Sequence, residues 1–124
     1  MFTISKEFSF CASHTLMGLP EEHPCSRLHG HNYTVIVEFQ SSTLDEVGFI
    51  LDYREMDPIK VYIDRMLDHK HLNDVYKLIN PTAELLAEYL FHVFQSIFEV
   101  PHRSQLSAVT VKETPKTMAR YEPK

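Results

Sequence analysis

Two histidines separated by one residue, His29 and His31, give the strongest indication of chemistry in this 124-residue sequence. If the stretch around them is extended, side chains two positions apart share a face, so both imidazoles can bind one metal ion. His14 has the same parity as the apolar Phe8 and Phe10, so a paired strand there can direct it to the same place. Three imidazoles without a fourth protein ligand are typical of a catalytic zinc site with an open position. The alternative is that these are ordinary surface or core histidines.

Two further positions could supply a base. Asp68 directly precedes His69, and a neighbouring carboxylate can orient an imidazole and stabilise its charged form; the alternative is a charged loop, which we favour for His71. Cys25 is the only thiol in a loop beside the histidines, and a nearby metal or cation would favour its thiolate, the form that acts as base or nucleophile. The alternative for Cys25 is an inert small side chain, which is the interpretation we prefer for Cys11.

Glu113 is a carboxylate at the end of an otherwise apolar alternation. It has the same parity as Val109 and Val111, which a strand would bury. A carboxylate on such a face needs a cation or the N–H groups of a ligand as its partner. An exposed strand end is the alternative, and the spacing alone does not decide between the two.

The composition disfavours several classes of protein. Lys and Arg total 12 against 17 Asp and Glu, a net charge of −5 without basic runs, so we expect no nucleic-acid partner. Three glycines, Gly18, Gly30 and Gly48, form neither a G-x-G-x-x-G turn nor a Walker A loop. No stretch of 18 apolar residues predicts a membrane span, so we expect no membrane partner. No secretion signal is recognisable, so we expect a cytoplasmic protein with both cysteines reduced.

These residues must be positioned by an α+β framework, which we predict as one domain over residues 1–124. Two amphipathic helices are predicted, one from about 57 to 67 and one from about 81 to 98. Strands are predicted at 2–10, 32–40, 106–113 and 117–121, with a further short strand at 48–53. An antiparallel four-stranded sheet with two helices on one face fits this order. Such a sheet has two unpaired edges, so we expect oligomers.

Five segments together resemble the 6-pyruvoyl-tetrahydropterin synthase family, which includes the 6-carboxy-tetrahydropterin synthases of queuosine biosynthesis. They occur in the family's order along most of the chain, which makes the match specific. The segments are FSFCASH (8–14), CSRLHGHNY (25–33), LDHKHLN (67–73), NPTAE (80–84) and VTVKET (109–114). The resemblance implies a T-fold, in which trimers close a twelve-stranded barrel and two trimers stack into a homohexamer.

The resemblance also implies roles for particular residues. Cys25 is the implied proton acceptor, activated with help from Asp68 and His69. Glu113 is the implied anchor for the guanidine-like edge of the pterin and a member of the proton relay, and Thr82 is a further implied pterin contact. Active sites in the family lie between subunits, so Cys25 and the Asp68–His69 pair can belong to different chains. The implied Zn²⁺ ligands are His14, His29 and His31.

The spacing within one segment separates the branches of the family. Three residues lie between Cys25 and His29, as in the bacterial carboxy-tetrahydropterin synthases, whereas animal pyruvoyl enzymes have a longer spacer and a folate-linked branch has Glu in place of Cys25. The implied reaction converts 7,8-dihydroneopterin triphosphate to 6-carboxy-5,6,7,8-tetrahydropterin, with release of acetaldehyde and triphosphate. Alternatives are a 6-pyruvoyl-tetrahydropterin synthase, a pterin side-chain aldolase, or a non-catalytic oligomer that binds zinc or pterin. The triphosphate needs cations, for which Arg27, Lys112 and Lys116 are the candidates.

Overall fold

The chain forms a mixed five-stranded sheet that is covered by helices. The computed structural model describes residues 1–76 and 80–124. The strands are β1 (Phe2–His14), β2 (His29–Ser41), β3 (Lys70–His71), β4 (Leu106–Thr114) and β5 (Thr117–Tyr121). The α-helices are α1 (Asp57–Met66), α2 (Leu72–Val75), α3 (Ala83–Ile97) and α4 (His102–Gln105). Two 3-10 helices cover Pro24–Ser26 and Tyr53–Met56.

The strands lie in the order β3-β1-β2-β4-β5. The four long strands pair antiparallel, as predicted from their alternation. β3 is an additional strand that pairs parallel with β1. Its two residues are too few to give a periodic signal, which is why the sequence did not predict it. β3 brings the segment containing Asp68 and His69 alongside the edge of β1.

One face of the sheet forms the core. In β1 and β2, residues of one parity become buried, while their neighbours remain partly or fully exposed. α1 adds Ile59 and Ile63 to this core, and burial of each such side chain contributes about 1.5–3 kcal/mol. The larger apolar stripe belongs to α3 and consists of Leu86, Ala87, Leu90, Phe91 and Phe94.

The helices begin where the local signals predicted. Thr82 is the N-cap of α3, and its side-chain oxygen accepts a hydrogen bond from the N–H of Leu85 at 3.2 Å. Asp57 and Pro58 form the first turn of α1, where proline lacks only an N–H that would have no partner in the helix. Among the residues that the structure describes, no helix is long and apolar enough to cross a membrane.

The strand predicted at residues 48–53 is wrong. The carboxylate of Asp45 accepts hydrogen bonds from three consecutive N–H groups, and Gly48 has a φ of 102°, so the chain turns here. Ile50 and Leu51 are nevertheless buried. Their apolar side chains therefore indicate burial in the core and not pairing in the sheet. The 3-10 helix Tyr53–Met56 follows this turn.

The first two strands extend further than predicted at the end that carries the histidines. β1 continues past residue 10 to His14, and β2 begins at His29 rather than at residue 32. Regular strand pairing therefore includes the histidines themselves. The alternation of the strands fixes the side of the sheet from which each imidazole projects.

Candidate metal centre and active site

Three imidazoles converge at one end of the sheet, as the parity of the residues predicted. His14 is the last residue of β1 and lies opposite His29, the first residue of β2. His31 follows two positions later on the same face, and the ring centroids are 4.4, 5.1 and 4.9 Å apart. One nitrogen from each ring lies within 4.8 Å of the other two. The three histidines could therefore hold one metal ion.

Backbone carbonyls determine the tautomers of two of these rings. Nδ1 of His14 lies 2.8 Å from the carbonyl oxygen of Pro81, and Nδ1 of His29 lies 2.7 Å from that of Arg27. A carbonyl oxygen can only accept, so each Nδ1 carries a hydrogen, and each neutral ring has an unprotonated Nε2. These two Nε2 atoms are 2.8 Å apart. Two lone pairs at this distance repel each other, which a shared proton or a metal ion relieves, and three imidazoles are a donor set that fits zinc.

The third ring also has a nitrogen available for a ligand. Nε2 of His31 is buried and has no hydrogen-bond partner within residues 1–76 and 80–124. Burial lowers the pKa of both His14 and His31, because desolvation disfavours the charged imidazolium. The neutral form that burial favours is the form that binds a metal.

Glu113 lies beside the histidines. Its Oε2 lies 3.4 Å from Nε2 of His31, a close approach that does not have hydrogen-bond geometry. It also borders a cleft of about 720 Å³ between the first turns of α3 and strand β5. A second cleft of about 460 Å³ is lined by His31, Lys112, Glu113 and Thr114, among others. The carboxylate can therefore face both the metal ligands and a bound molecule.

Tyr33 is a site residue that the sequence analysis did not identify. It follows His29 and His31 on the same face of β2 and is almost completely buried. Its hydroxyl lies 3.3 Å from Nδ1 of His14, so its oxygen can accept from the same N–H that bonds to Pro81. Burial raises the pKa of Tyr33, which keeps the phenol neutral. The parity of position 33 was the signal that could have identified it.

Cys25 lies in the 3-10 helix Pro24–Ser26 and is partly exposed. Its N–H donates to Nδ1 of His23 at 3.0 Å, and its carbonyl accepts from the N–H of Leu16 at 2.9 Å. The loop that carries this thiol is thus attached two residues beyond His14. Cys11 is also a free thiol, and it donates to Oδ1 of Asn32 at 3.0 Å.

Asp68 and His69 form a hydrogen-bonded pair, the contact that their adjacency suggested. Oδ2 of Asp68 is 2.9 Å from Nδ1 of His69, and its Oδ1 accepts from the N–H of Cys11 at 2.9 Å. The hydrogen bond from Cys11, followed by that from His69, lowers the pKa of Asp68. His69 has a φ of 60°, which is uncommon for a residue other than glycine and is found preferentially at functional sites.

The pair lies beside a different cleft from Glu113. This cleft, of about 610 Å³, is lined by His69 and by residues such as Cys11, Ser13 and Asn32, whose parity is opposite to that of the buried strand residues. Cys25 does not line it. His31 lines both this cleft and one that Glu113 lines, whereas Cys25 lines neither of the two.

Comparison with known proteins identifies the family of the chain. The family model described as 6-pyruvoyl tetrahydropterin synthase matches residues 3–124. A 6-carboxy-5,6,7,8-tetrahydropterin synthase from Synechocystis is 36% identical, over 98% of this chain and 93% of that protein. The enzyme of the same name from Bacillus subtilis is 30% identical, over 99% and 86%. The structure of the 6-pyruvoyl tetrahydropterin synthase of Caenorhabditis elegans superposes with a TM-score of 0.86 at 26% identity, over 99% and 96%. The chain belongs to the 6-pyruvoyl tetrahydropterin synthase family.

Proposed function

We propose that this protein is a zinc-dependent lyase acting on 7,8-dihydroneopterin triphosphate. With addition of one water molecule, the products are 6-carboxy-5,6,7,8-tetrahydropterin, acetaldehyde and triphosphate, and the pathway is queuosine biosynthesis. The observation that carries the proposal is the convergence of His14, His29 and His31, whose ring nitrogens lie within 4.8 Å of one another, next to Glu113. The names of the relatives from Synechocystis and Bacillus subtilis support the choice of product.

Zinc is the proposed cofactor, with His14, His29 and His31 as its ligands. When bound, it supplies a Lewis acid that polarises the hydroxyl groups of the substrate side chain. The Pro81 and Arg27 carbonyls orient two of the ligand rings through their Nδ1–H groups. Such partners of metal ligands typically contribute about 10- to 100-fold to metal affinity.

Glu113 is the proposed anchor of the pterin. Its carboxylate can accept two N–H groups of the guanidine-like edge, a charge-assisted pairing that also fixes the orientation of the ring. The cleft of about 720 Å³ that it borders begins at α3, next to Thr82, the second proposed pterin contact. Lys112 lines a cleft together with Glu113 and His31, which makes it the preferred cation for the triphosphate over Arg27 and Lys116.

Cys25 is the proposed acceptor of a carbon-bound proton, whose removal begins the loss of triphosphate. A positioned base of this kind contributes about 10²- to 10⁴-fold to a rate. Asp68 orients His69, and the pair assists the thiol. Because the cleft beside His69 does not include Cys25, we propose that the pair acts on the Cys25 of a neighbouring subunit.

The proposed assembly is a hexamer made of two trimers, each trimer closing a twelve-stranded barrel from four long strands per chain. The open edges of the sheet support this assembly, because within residues 1–76 and 80–124 β5 pairs with β4 alone and β3 covers only two residues of β1. The unpaired N–H and C=O groups along such edge strands favour pairing with a strand of another chain.

A second candidate is the 6-pyruvoyl-tetrahydropterin synthase reaction, because the superposed enzyme from Caenorhabditis elegans has that name. Both reactions lose triphosphate, but only the first cleaves the side chain. Mass spectrometry of the products after incubation with 7,8-dihydroneopterin triphosphate separates them. We expect a carboxy-tetrahydropterin, and a pyruvoyl-tetrahydropterin without acetaldehyde would contradict the proposal.

The matched control for this experiment is Cys25→Ala. We expect it to lose at least about 100-fold in kcat, as for removal of a positioned base, while zinc remains bound. If turnover persists, the role given to Cys25 is wrong. If neither wild type nor variant converts any pterin triphosphate, the protein is a non-catalytic member of the family.

A further inference from the structure

Two asparagine side chains bond to the backbone beyond the end of β1. Residues 15–17 follow this strand and belong to no regular element. Thr15 donates its N–H to Oδ1 of Asn73 at 2.9 Å, and Nδ2 of Asn73 donates to the Thr15 carbonyl at 2.9 Å. Met17 forms the same two bonds with Asn80, both of 3.0 Å. Each side-chain amide therefore replaces a peptide group of a neighbouring strand.

The first of these contacts continues the ladder between β1 and β3. Those strands run parallel, with Ser13 opposite His71. The side-chain bond from Ser13 to His71 and the bonds from Thr15 to Asn73 both span 58 positions along the sequence. Asn73 thus keeps the register of the ladder after its own backbone has entered α2.

Leu16 lies between the two residues that bond to asparagine side chains, and its N–H has a different partner. Where successive peptide groups alternate in direction, bonds on one side at residues 15 and 17 leave the N–H of residue 16 for the other side. That N–H donates to the carbonyl of Cys25 at 2.9 Å. The two asparagines therefore set the place at which the Cys25 loop attaches, two residues after His14.

We propose that Asn73 and Asn80 are positioning residues that place Cys25 for the reaction. Both functional groups of each amide are occupied by backbone, so these residues act through Leu16 rather than on the reacting atoms. The inference rests on the proposed function, since a proton acceptor must lie within hydrogen-bond reach of its proton. A displacement of about 1 Å can cost about 100-fold in rate.

The metal ligand next to this segment has its own support. Nδ1 of His14 is bonded to the Pro81 carbonyl and lies near the Tyr33 hydroxyl, and neither contact involves an asparagine side chain. Loss of the Asn73 or the Asn80 side chain should therefore displace Cys25 and leave zinc binding intact. This difference separates positioning of the thiol from general damage to the fold.

The first test measures alkylation of both cysteines by iodoacetamide in zinc-loaded wild type, Asn73→Ala and Asn80→Ala. Peptide mass mapping follows each thiol at about pH 9.5, above the ordinary thiol pKa of about 8.5, so that the rates report access. We expect Cys25 to react at least about threefold faster in either variant, as its segment opens more often. The Cys11 rate and the zinc content should not change, and Asp45→Ala, which removes three side-chain-to-backbone bonds elsewhere, should match the wild type.

Kinetics supply a second readout that a purely structural role would not move. In Asn73→Ala and Asn80→Ala, kcat should fall about 10- to 100-fold while KM changes by less than about threefold. Folded, zinc-loaded variants whose Cys25 alkylation rate and kcat both stay within about twofold of wild type would overturn the proposal. If wild type converts no substrate, the proposed function fails, whereas the alkylation rates still decide whether the two asparagine side chains hold Cys25.

Leu16→Pro keeps the proposal testable if the asparagine variants do not fold. Proline removes the N–H that reaches Cys25 and leaves both asparagines unchanged. We expect the same rapid alkylation of Cys25, with no further increase when Leu16→Pro is combined with Asn73→Ala, because both changes break one linkage. Additive increases, or a Leu16→Pro variant that alkylates like wild type, would contradict the linkage.

Discussion

Backbone hydrogen bonds orient the imidazoles of His14 and His29 for binding a metal ion, and burial favours the neutral form of His14. Their Nδ1–H groups donate to carbonyl oxygens, so Nε2 is the nitrogen that each ring can offer to a metal ion. His14 is completely buried, and its desolvated ring resists protonation. The local structure thus disfavours the protonated state that competes with a metal ion.

Replacement of a ligand should remove the metal. In His29→Ala, two of three imidazoles remain, and we expect zinc in purified protein to fall from about one ion per chain to less than about a tenth. Elemental analysis after dialysis measures this directly. His92→Ala, at an exposed position of α3, is the control and should retain zinc. Unchanged zinc in His29→Ala would refute the ligand set.

Acid should destabilise the zinc-free fold. Burial lowers the pKa of His14 and His31 below the ordinary value of 6.5, so below that pH the unfolded chain binds protons that the folded chain does not. The free energy of unfolding should therefore fall as the pH drops from about 6.5 through the folded pKa values. Urea unfolding between about pH 7.5 and 5.5 tests this. A midpoint that rises on acidification would contradict the expected sign.

The parity of the sequence was sufficient to predict which histidines converge, but not what surrounds them. Strand alternation directs His14, His29 and His31 to one face once β1 and β2 pair. The contact between His14 and the Pro81 carbonyl joins residues 67 positions apart. Its acceptor is a backbone atom, which every residue type has, so the sequence gives no indication of it. The same parity argument predicts that Tyr33 lies on the face of the histidines. It was not identified as a site residue because a tyrosine is uncharged and is not a typical metal ligand.

Among the elements, α3 has an N-cap whose contribution to stability can be measured apart from any contact of Thr82 with the pterin. Thr82→Ala removes the acceptor for the Leu85 N–H, and we expect the free energy of unfolding to fall by about 1 kcal/mol. Thr82→Ser keeps an oxygen at this position and should recover most of the loss. Chemical denaturation of both variants measures the difference. Equal stability of Thr82→Ala and wild type would show that the cap contributes nothing.

The boundaries of an element were predictable where a local sequence signal exists. They were not predictable where pairing with a distant strand determines them. α1 begins at Asp57 and α3 at Ala83, within two residues of the predicted starts at about 57 and 81. The strand predicted at residues 48–53 failed because its apolar residues fill the core from a turn. β3 forms because its backbone pairs with β1, a tertiary contact that two residues cannot encode.

For the whole molecule, the separation of the candidate groups argues for a site shared between copies. His69 and Glu113 border different clefts of one chain, and both edges of the sheet can accept further strands. A shared site would bring together Cys25 and His69, since Cys25 does not line the cleft of His69 within one chain. It also predicts that oligomerisation and activity depend on each other.

Mixed oligomers test the shared site. Cys25→Ala and Asp68→Asn should each be inactive alone. Co-expressed in equal amounts, they should regain about a quarter of wild-type activity, because a random pair of neighbouring chains contributes both intact residues in about one of four sites. Activity assays on the mixed oligomer, sized by light scattering, measure this. No recovery in a verified mixed oligomer would place both residues in one chain's site.

The most direct test of the account is acetaldehyde release from 7,8-dihydroneopterin triphosphate by the zinc-loaded protein. We predict about one acetaldehyde per triphosphate released, none after zinc is removed by a chelator, and recovery when zinc is restored. Loss of triphosphate without acetaldehyde, or acetaldehyde release that is insensitive to the chelator, would contradict the account.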